Sequence, residues 1–469
     1  MAERINLREK IGYGFGDMAS SMFWKLFGTY LLFFYTDVFG IAAAAVGTMF
    51  LITRIWDTFF DPVVGVIADR TKSKWGKFRP YLLYVAVPFG IIGVLTFTVP
   101  SFSGTGMLLY AYITYSIMMM IYSLINVPYA SLLGVISADP KQRNTFASFR
   151  MAFAFAGSLI ALALIEPLVT IFSKKAGGII NLKSGWQLAV MVIAAICVLL
   201  FILCFSWVKE RVQPLKDERS SLKSDVRDLF KNRPWWILLG AGVAALIFNS
   251  IRDGATLYYF KYVIQNTEAF KISATVITWS TLYLIVGQGA NIIGVILASP
   301  VANRIGKKNT FLWAMGTATL LSIIFYWLNA EQISLIFVFQ FFISICAGII
   351  FPLLWSMYAD IVDYSEWKTG RRATGLIFSS SSMSQKLGWT IGGALTGWLL
   401  GAFGFKANVL QGSEVQTGIR LMLSFLPAAG ALLSVLFIAW YPLSEKRVIE
   451  ITGDLQEKRR EAELELSKQ

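Results

Sequence analysis

Two aspartates four residues apart, Asp57 and Asp61, stand in a stretch that is otherwise apolar and aromatic. On a helix that spacing puts both carboxylates on one face. Like charges so placed disfavour joint ionisation unless a bound cation or a proton relieves them. The chemistry open to the pair is therefore reversible cation binding, of a proton or of sodium. Arg54, three residues before Asp57, offers the alternative of a fixed ion pair, which leaves Asp61 unexplained. An ionised side chain at the centre of a bilayer costs at least about 2.5–3.5 kcal/mol, so each one needs a partner, a water-filled cavity or a function.

Other polar residues interrupt apolar runs in the same way. Asp17 follows Gly12-Tyr13-Gly14-Phe15-Gly16 and reads either as a ligand or gate, or as a helix-end residue. The glycines, one turn apart, permit close helix approach. Asn126, Pro128 and Tyr129 place an amide and a ring where a hydroxylated solute could bond and stack, and Trp355 follows Pro352 in a later run. Asn249, Arg252 and Asp253 share one apolar stretch. Arg252 could grip a carboxylate in bidentate fashion or pair with Asp253. Lys25 is ambiguous. Lys386 lies among Ser379–Ser382, Gln385, Gly388, Gly392 and Gly393, a small and polar surface of the kind that lines a cavity.

Composition narrows the class. The 469 residues are 56% apolar and only 15% charged, which excludes an ordinary soluble protein. A net charge of +14 could point to nucleic acid, but the basic residues lie in short loops between apolar segments, so no nucleic-acid partner is expected. Histidine is absent, which removes the usual general base and zinc ligand. With no nucleophile motif or metal-ligand cluster either, an enzyme is not expected, nor a cofactor. Cys197, Cys204 and Cys346 lie in apolar stretches and read as packing residues. The first ten residues carry no short apolar core or cleavage site, so no cleaved signal peptide is expected.

These residues must be positioned by membrane-spanning helices of about 20 residues each. Twelve are expected, over 11–35, 41–68, 80–99, 107–136, 146–172, 186–208, 234–264, 272–302, 310–328, 333–359, 375–403 and 418–440. The fold class is thus all-α, in two six-helix halves: 1–208, then a central loop 209–233, then 234–441, with a tail 442–469. Loops alternate in charge: 69–80 holds five basic residues, 100–106 none and 209–233 eight. Lys174, Lys175 and Lys183 are the main exception. The positive-inside rule then sets both termini in the cytoplasm. The halves echo each other: Asp69-Arg70 with Gly76-Lys77 corresponds to Asn303-Arg304 with Gly306-Lys307, and Pro128 to Pro352. Such duplication suits a site between two rocking halves. Asp360, Asp363 and Glu366 fall at a helix C-terminus, where negative charge is disfavoured, so each should meet a cation. Arg371, Arg372 or the loop carrying Asp69 and Arg70 would supply it, forming a cytoplasmic gate.

The motifs resemble a family. Tyr13-Gly14-Phe15-Gly16-Asp17, Tyr35-Thr36-Asp37, Arg54-Ile55-Trp56-Asp57 with Asp61-Pro62, and Trp75-Gly76-Lys77-Phe78-Arg79-Pro80 are similar to those of the glycoside–pentoside–hexuronide:cation symporters. So are Asn126-Val127-Pro128-Tyr129, the run Asp360 to Trp367, and Lys386 before Gly388. The resemblance implies a major-facilitator fold, alternating access and cation-driven sugar uptake across a bacterial inner membrane, by a protein expected to be a monomer. It assigns Asp57, Asp61 and Ser123 to the cation, sets Lys386 near the cation and sugar sites, and matches Arg150 to the arginine after span four. The residues' own chemistry adds Asp17, Asn126, Tyr129, Arg252 and Trp355 to the expected substrate region. Against melibiose permeases the chain departs at three places: their span-four aspartate is Asn126, their nearby tryptophan is Ala130, and their Lys-Asp pair aligns with Ser20-Ser21. These departures point towards the xyloside, pentoside and glucuronide branches. Phe60 stands where sodium-using members have asparagine, which removes an oxygen ligand and favours a proton over sodium. A lipid or drug exporter on the same fold is the rival reading, and a membrane enzyme a more distant one.

Overall fold

The computed structural model describes residues 6–137, 140–173, 181–211, 227–265, 268–272, 275–370 and 374–466. Helix α1, Leu7–Lys25, runs on through π-helical turns at Leu26–Tyr30 and Phe34–Phe39. It stops at Gly40, whose φ of +93° is the left-handed ending that glycine adopts without strain. Helix α2 spans Ala43–Arg70; α3 and α4, Arg79–Tyr84 and Ala86–Thr96, follow. Then come α5, Thr105–Ile136, α6, Pro140–Ser173, and α7, Leu182–Trp207. Helix α8, Arg233–Tyr258, also ends in a π-helical turn, Tyr259–Ile264.

The next segment corrects the expected boundary of the eighth span. Residues from 272 on do not begin a helix; Glu268–Ile272 and Thr275–Thr278 form an antiparallel hairpin, β1 and β2, pairing Phe270 with Ile277 and Ile272 with Thr275. Thr275 to Thr278 are all β-branched, which favours a strand and delays the helix to Trp279. Helices α9, Trp279–Ile305, α10, Lys307–Phe325, and α11, Ile333–Thr369, come next. Helix α12 spans Thr374–Ala402, and the last expected span is broken into α13, Ser413–Leu423, and α14, Phe425–Ala439. A charged helix, α15, Glu445–Leu466, closes the chain.

Among the described residues seven helices are long and apolar enough to cross a bilayer. Helix α2, which is not among the seven, carries the exposure pattern of a helix solvated by lipid. On α2, Ile52, Ile55, Trp56, Val63, Val66 and Ile67 are about half exposed, while Thr53, Arg54 and Asp57 are buried. A helix that hides its charges and shows its isoleucines is inside out for water and correct for a hydrocarbon solvent. Proline lies inside α2, α5, α6, α9 and α11, at Pro62, Pro128, Pro167, Pro300 and Pro352, as membrane helices tolerate.

The chain forms two compact units. The first comprises Met1–Asp217, Asp253–Gln288 and Gly393–Ile419; the second comprises Glu218–Arg252, Gly289–Gly392 and Arg420–Gln469. Helices α8, α9, α12 and α13 each contribute residues to both. In the first unit α1 packs along α6 and α7, and α2 along α5. A Cβ on Gly157 would lie 2.4 Å from the Met18 carbonyl oxygen, so α1 and α6 touch backbone to backbone. The core of the second unit gathers Phe248, Phe311, Met315, Leu354, Met357, Tyr358 and Ile361 with Ile451 and Leu455 of α15.

Candidate functional site

Within the first unit, α2 and α5 bring together the cation-site residues expected from the sequence. Asp57 is 3% exposed, and the Ser123 hydroxyl donates to its Oδ1 at 2.8 Å. Asp61 is one turn further along α2 and half-buried. Arg54 is buried beside them; its Nε donates to the Tyr115 hydroxyl at 3.0 Å and its guanidinium lies 4.3 Å from the centre of the Trp24 ring. The arrangement holds a buried carboxylate and a hydroxyl near an arginine that meets two aromatic side chains, where a small cation changes the local charge greatly.

One turn below lies a second group. Arg150 Nε donates to Asp17 Oδ2 at 2.8 Å, joining α6 to α1. Ser20 donates to Asn126 Oδ1 at 2.7 Å, and Asn126 Nδ2 donates to the Tyr122 carbonyl at 3.0 Å. Ser20 and Asn126 are two of the positions at which this chain departs from melibiose permeases. In this chain the two positions meet through a neutral hydrogen bond. Tyr129 does not present its hydroxyl to a solute: it is fully buried, donates to the Tyr13 carbonyl at 2.7 Å and stacks on the Tyr13 ring at 4.8 Å. Gly16 makes room for it, because a Cβ there would meet the Tyr129 ring at 2.3 Å. The ring supports Asp17 and Arg150 from behind, with the guanidinium 5.3 Å from its centre.

The second unit holds the other expected substrate residues. Arg252, 6% exposed, donates to the Leu423 carbonyl at 2.5 Å and to Gln340 Oε1 at 2.8 Å, and lies against Phe248 and Phe325. It therefore serves the break between α13 and α14, where Pro427, four residues after Leu423, has no N–H to give that carbonyl. Asp253, assigned to the first unit, instead receives Lys25 Nζ at 2.5 Å. Lys386 and Trp355 are half-buried on α12 and α11. A Cβ on Gly388 would meet Leu246 at 2.5 Å and one on Gly392 would meet Ser250 at 2.4 Å, so these glycines press α12 onto α8. Lys386, two residues before Gly388, is turned about 200° around the helix, away from that contact.

The gate residues are placed unevenly. Lys307 Nζ holds both oxygens of Asp360, at 2.7 and 2.8 Å, so the cation that Asp360 requires comes from the start of α10. Asp363 and Glu366 lie in the last turns of α11, half-buried. Arg70 ends α2 and is exposed. Arg371, Arg372 and the side chain of Asp69 lie outside the described residues, as do Lys174 and Lys175.

Sequence reasoning missed Glu210. Its carboxylate accepts the backbone N–H groups of Lys77, Phe78 and Arg79 at 2.8, 2.7 and 2.9 Å. Gly76, at φ +108°, has no room for a Cβ, which would lie 2.4 Å from that carboxyl carbon. One acid among several in a loop richer in basic residues carried no signal of this, although the Gly76-Lys77-Phe78-Arg79-Pro80 run marks the turn that holds it.

A buried acid on a helix with exposed apolar residues, and long apolar spans with internal prolines, mark a polytopic membrane protein. Residues 12–445 match the family described as MFS/sugar transport protein, and the chain belongs to it. It is similar to the putative glycoside/cation symporter YagG of Escherichia coli (strain K12), with 36% identity covering 96% of this chain and 95% of that one. Identity to the isoprimeverose transporter of Lactiplantibacillus pentosus is 35%, covering 96% and 91%. Among solved structures, the nucleoside transporter NupG shares the fold, with a TM-score of 0.66 at 15% identity over 92% of this chain and 99% of that one.

Proposed function

We propose that this chain imports a small uncharged glycoside or pentoside by alternating access, driven by a proton bound at Asp57 and Asp61, with both termini in the cytoplasm. The observation that carries this reading is the Ser123 hydroxyl on the buried Asp57 carboxylate, one turn from Asp61. A proton needs one acid of suitable affinity, whereas sodium needs several converging oxygens. Phe60, beside Asp61, contributes none. The names of the glycoside/cation symporter and the isoprimeverose transporter support a sugar as solute. An uncharged sugar is favoured because the Ser20–Asn126 contact is neutral and the Arg252 guanidinium is held inside its own unit. Asp17, Asn126 and Arg150 are the proposed substrate contacts of the first unit, and Trp355 and Lys386 those of the second.

The test is counterflow in reconstituted vesicles with labelled xylosides, pentosides and glucuronides, followed by sugar-driven alkalinisation in sodium-free buffer. Exchange of a neutral glycoside with alkalinisation is expected. Uptake that needs millimolar sodium would overturn the proton assignment, and exchange of glucuronides alone would overturn the neutral substrate.

A further inference from the structure

Among the described residues, π-helical backbone occurs at Leu26–Tyr30, Phe34–Phe39 and Tyr259–Ile264. Such turns are rare, hold one residue more than an α-turn, and concentrate where a helix does something besides pack. All three lie in the first unit, and each supplies a side chain to a polar contact between residues far apart in sequence.

The densest of these contacts surrounds Asp37, whose side chain is only 1% exposed. Lys261 Nζ donates to its Oδ1 at 2.6 Å, the Tyr262 hydroxyl donates to the same oxygen, and Thr36 donates to Oδ2 at 2.7 Å. Asn408 completes the ring. Its Oδ1 accepts from Lys261 at 2.8 Å, its backbone N–H donates to the Tyr262 hydroxyl at 2.9 Å, and its Nδ2 donates to the Asp37 carbonyl at 2.6 Å. Asn408 has a φ of +60°, a left-handed conformation that asparagine tolerates better than most residues. The end of α1 is thereby fastened to the end of α8 and to the turn after α12. Two smaller contacts repeat the pattern. Tyr30 donates to Glu166, which also receives the Thr278 and Ser280 hydroxyls, and Lys25 pairs with Asp253.

This is the build of a latch and not of a permanent fastening. A buried ion pair gains little net stability, because separation returns both charges to water. Lys261 is already one-third exposed, so water reaches one side of the pair. Aromatic rings also meet across these ends, Phe33 and Phe405 on Tyr258 and Phe405 on Tyr262, while the charged centre is held by hydrogen bonds, which open and reform. By the alternation of basic loops, this end of the helices lies opposite the cytoplasmic loops.

We propose that Asp37, with Lys261, Tyr262 and Asn408, is the outer latch of the transport cycle, closed as seen here and released to admit solute from outside. The inference rests on the alternating-access reading above. Its test is labelling of a single cysteine, Phe33→Cys, by a membrane-impermeant maleimide in vesicles of known orientation, with Cys197, Cys204 and Cys346 replaced and no sugar present. Asp37→Asn and Lys261→Ala should each raise the labelling rate roughly tenfold, the effect of losing one charge-assisted hydrogen bond. If Asp37→Asn does not fold, Lys261→Ala decides, since it alters a partly exposed residue. Wild-type labelling rates in the folded Lys261→Ala protein overturn the latch. Because no sugar is needed, faster labelling in a protein that exchanges no glycoside upholds the latch and overturns the substrate reading.

Discussion

Asp57→Asn separates charge from packing at the proposed coupling site. Asparagine keeps an oxygen for the Ser123 hydroxyl, now 2.8 Å from Asp57 Oδ1, and removes only the negative charge. With 3% of the residue exposed, the ionised carboxylate bears a burial cost of at least about 2.5–3.5 kcal/mol, which a bound cation removes. That difference is what the cation contributes to the loaded state. One cation charge crossing a potential of about 100 mV supplies about 2.3 kcal/mol, a roughly 40-fold accumulation at about 1.4 kcal/mol per factor of ten, so without cation binding sugar falls to the level of the outside concentration. Counterflow, in which sugar exchanges with no net cation movement, should fall far less. The assay compares accumulation in energised vesicles with counterflow in the same preparation. Asp57→Ala serves as the contrast, because it also leaves the Ser123 hydroxyl buried without that acceptor, at about 1–3 kcal/mol of stability. An Asp57→Asn protein that still concentrates sugar as wild type does would refute the coupling assignment.

Three further outcomes follow from the packing. Gly16→Ala forces a Cβ to within 2.3 Å of the Tyr129 ring, so the variant should lose roughly 1–3 kcal/mol of stability, seen as a lower Tm in detergent, with sugar affinity weakened through Asp17. Arg252→Met should destabilise by about 3 kcal/mol, because the Leu423 carbonyl and Gln340 lose their buried donor, while the ranking of neutral over acidic sugars in counterflow stays unchanged. A reversed ranking would return Arg252 to the substrate site. Glu210→Ala leaves three backbone N–H groups without their acceptor, so trypsin should cut the 71–79 loop several-fold faster than in wild type; equal cleavage rates would show that the carboxylate does not hold the loop.

The sequence by itself determined the solvent and the class. Length of apolar runs, loop charges and acids inside membrane segments follow from the cost of placing polar groups in hydrocarbon, and that cost is read residue by residue. That Asp57 and Asp61 need a partner was legible from two acids one turn apart, and the resemblance to a symporter family pointed to Ser123, which meets Asp57. The partners of each charge were not legible. Arg252 stands next to Asp253 in sequence, yet one serves Leu423 and Gln340 and the other Lys25. Adjacent residues on a helix point about 100° apart, so neighbours in sequence are assigned to different packing surroundings. Tyr129, Glu210 and Asp37 show the same limit. Whether a tyrosine faces a solute or a backbone carbonyl, and whether an acid meets a lysine 224 positions away, is set by which helices close on one another. Only the tertiary structure decided that, because hydrogen-bond geometry is satisfied over about 3 Å and no sequence spacing encodes a distance so short across so many residues.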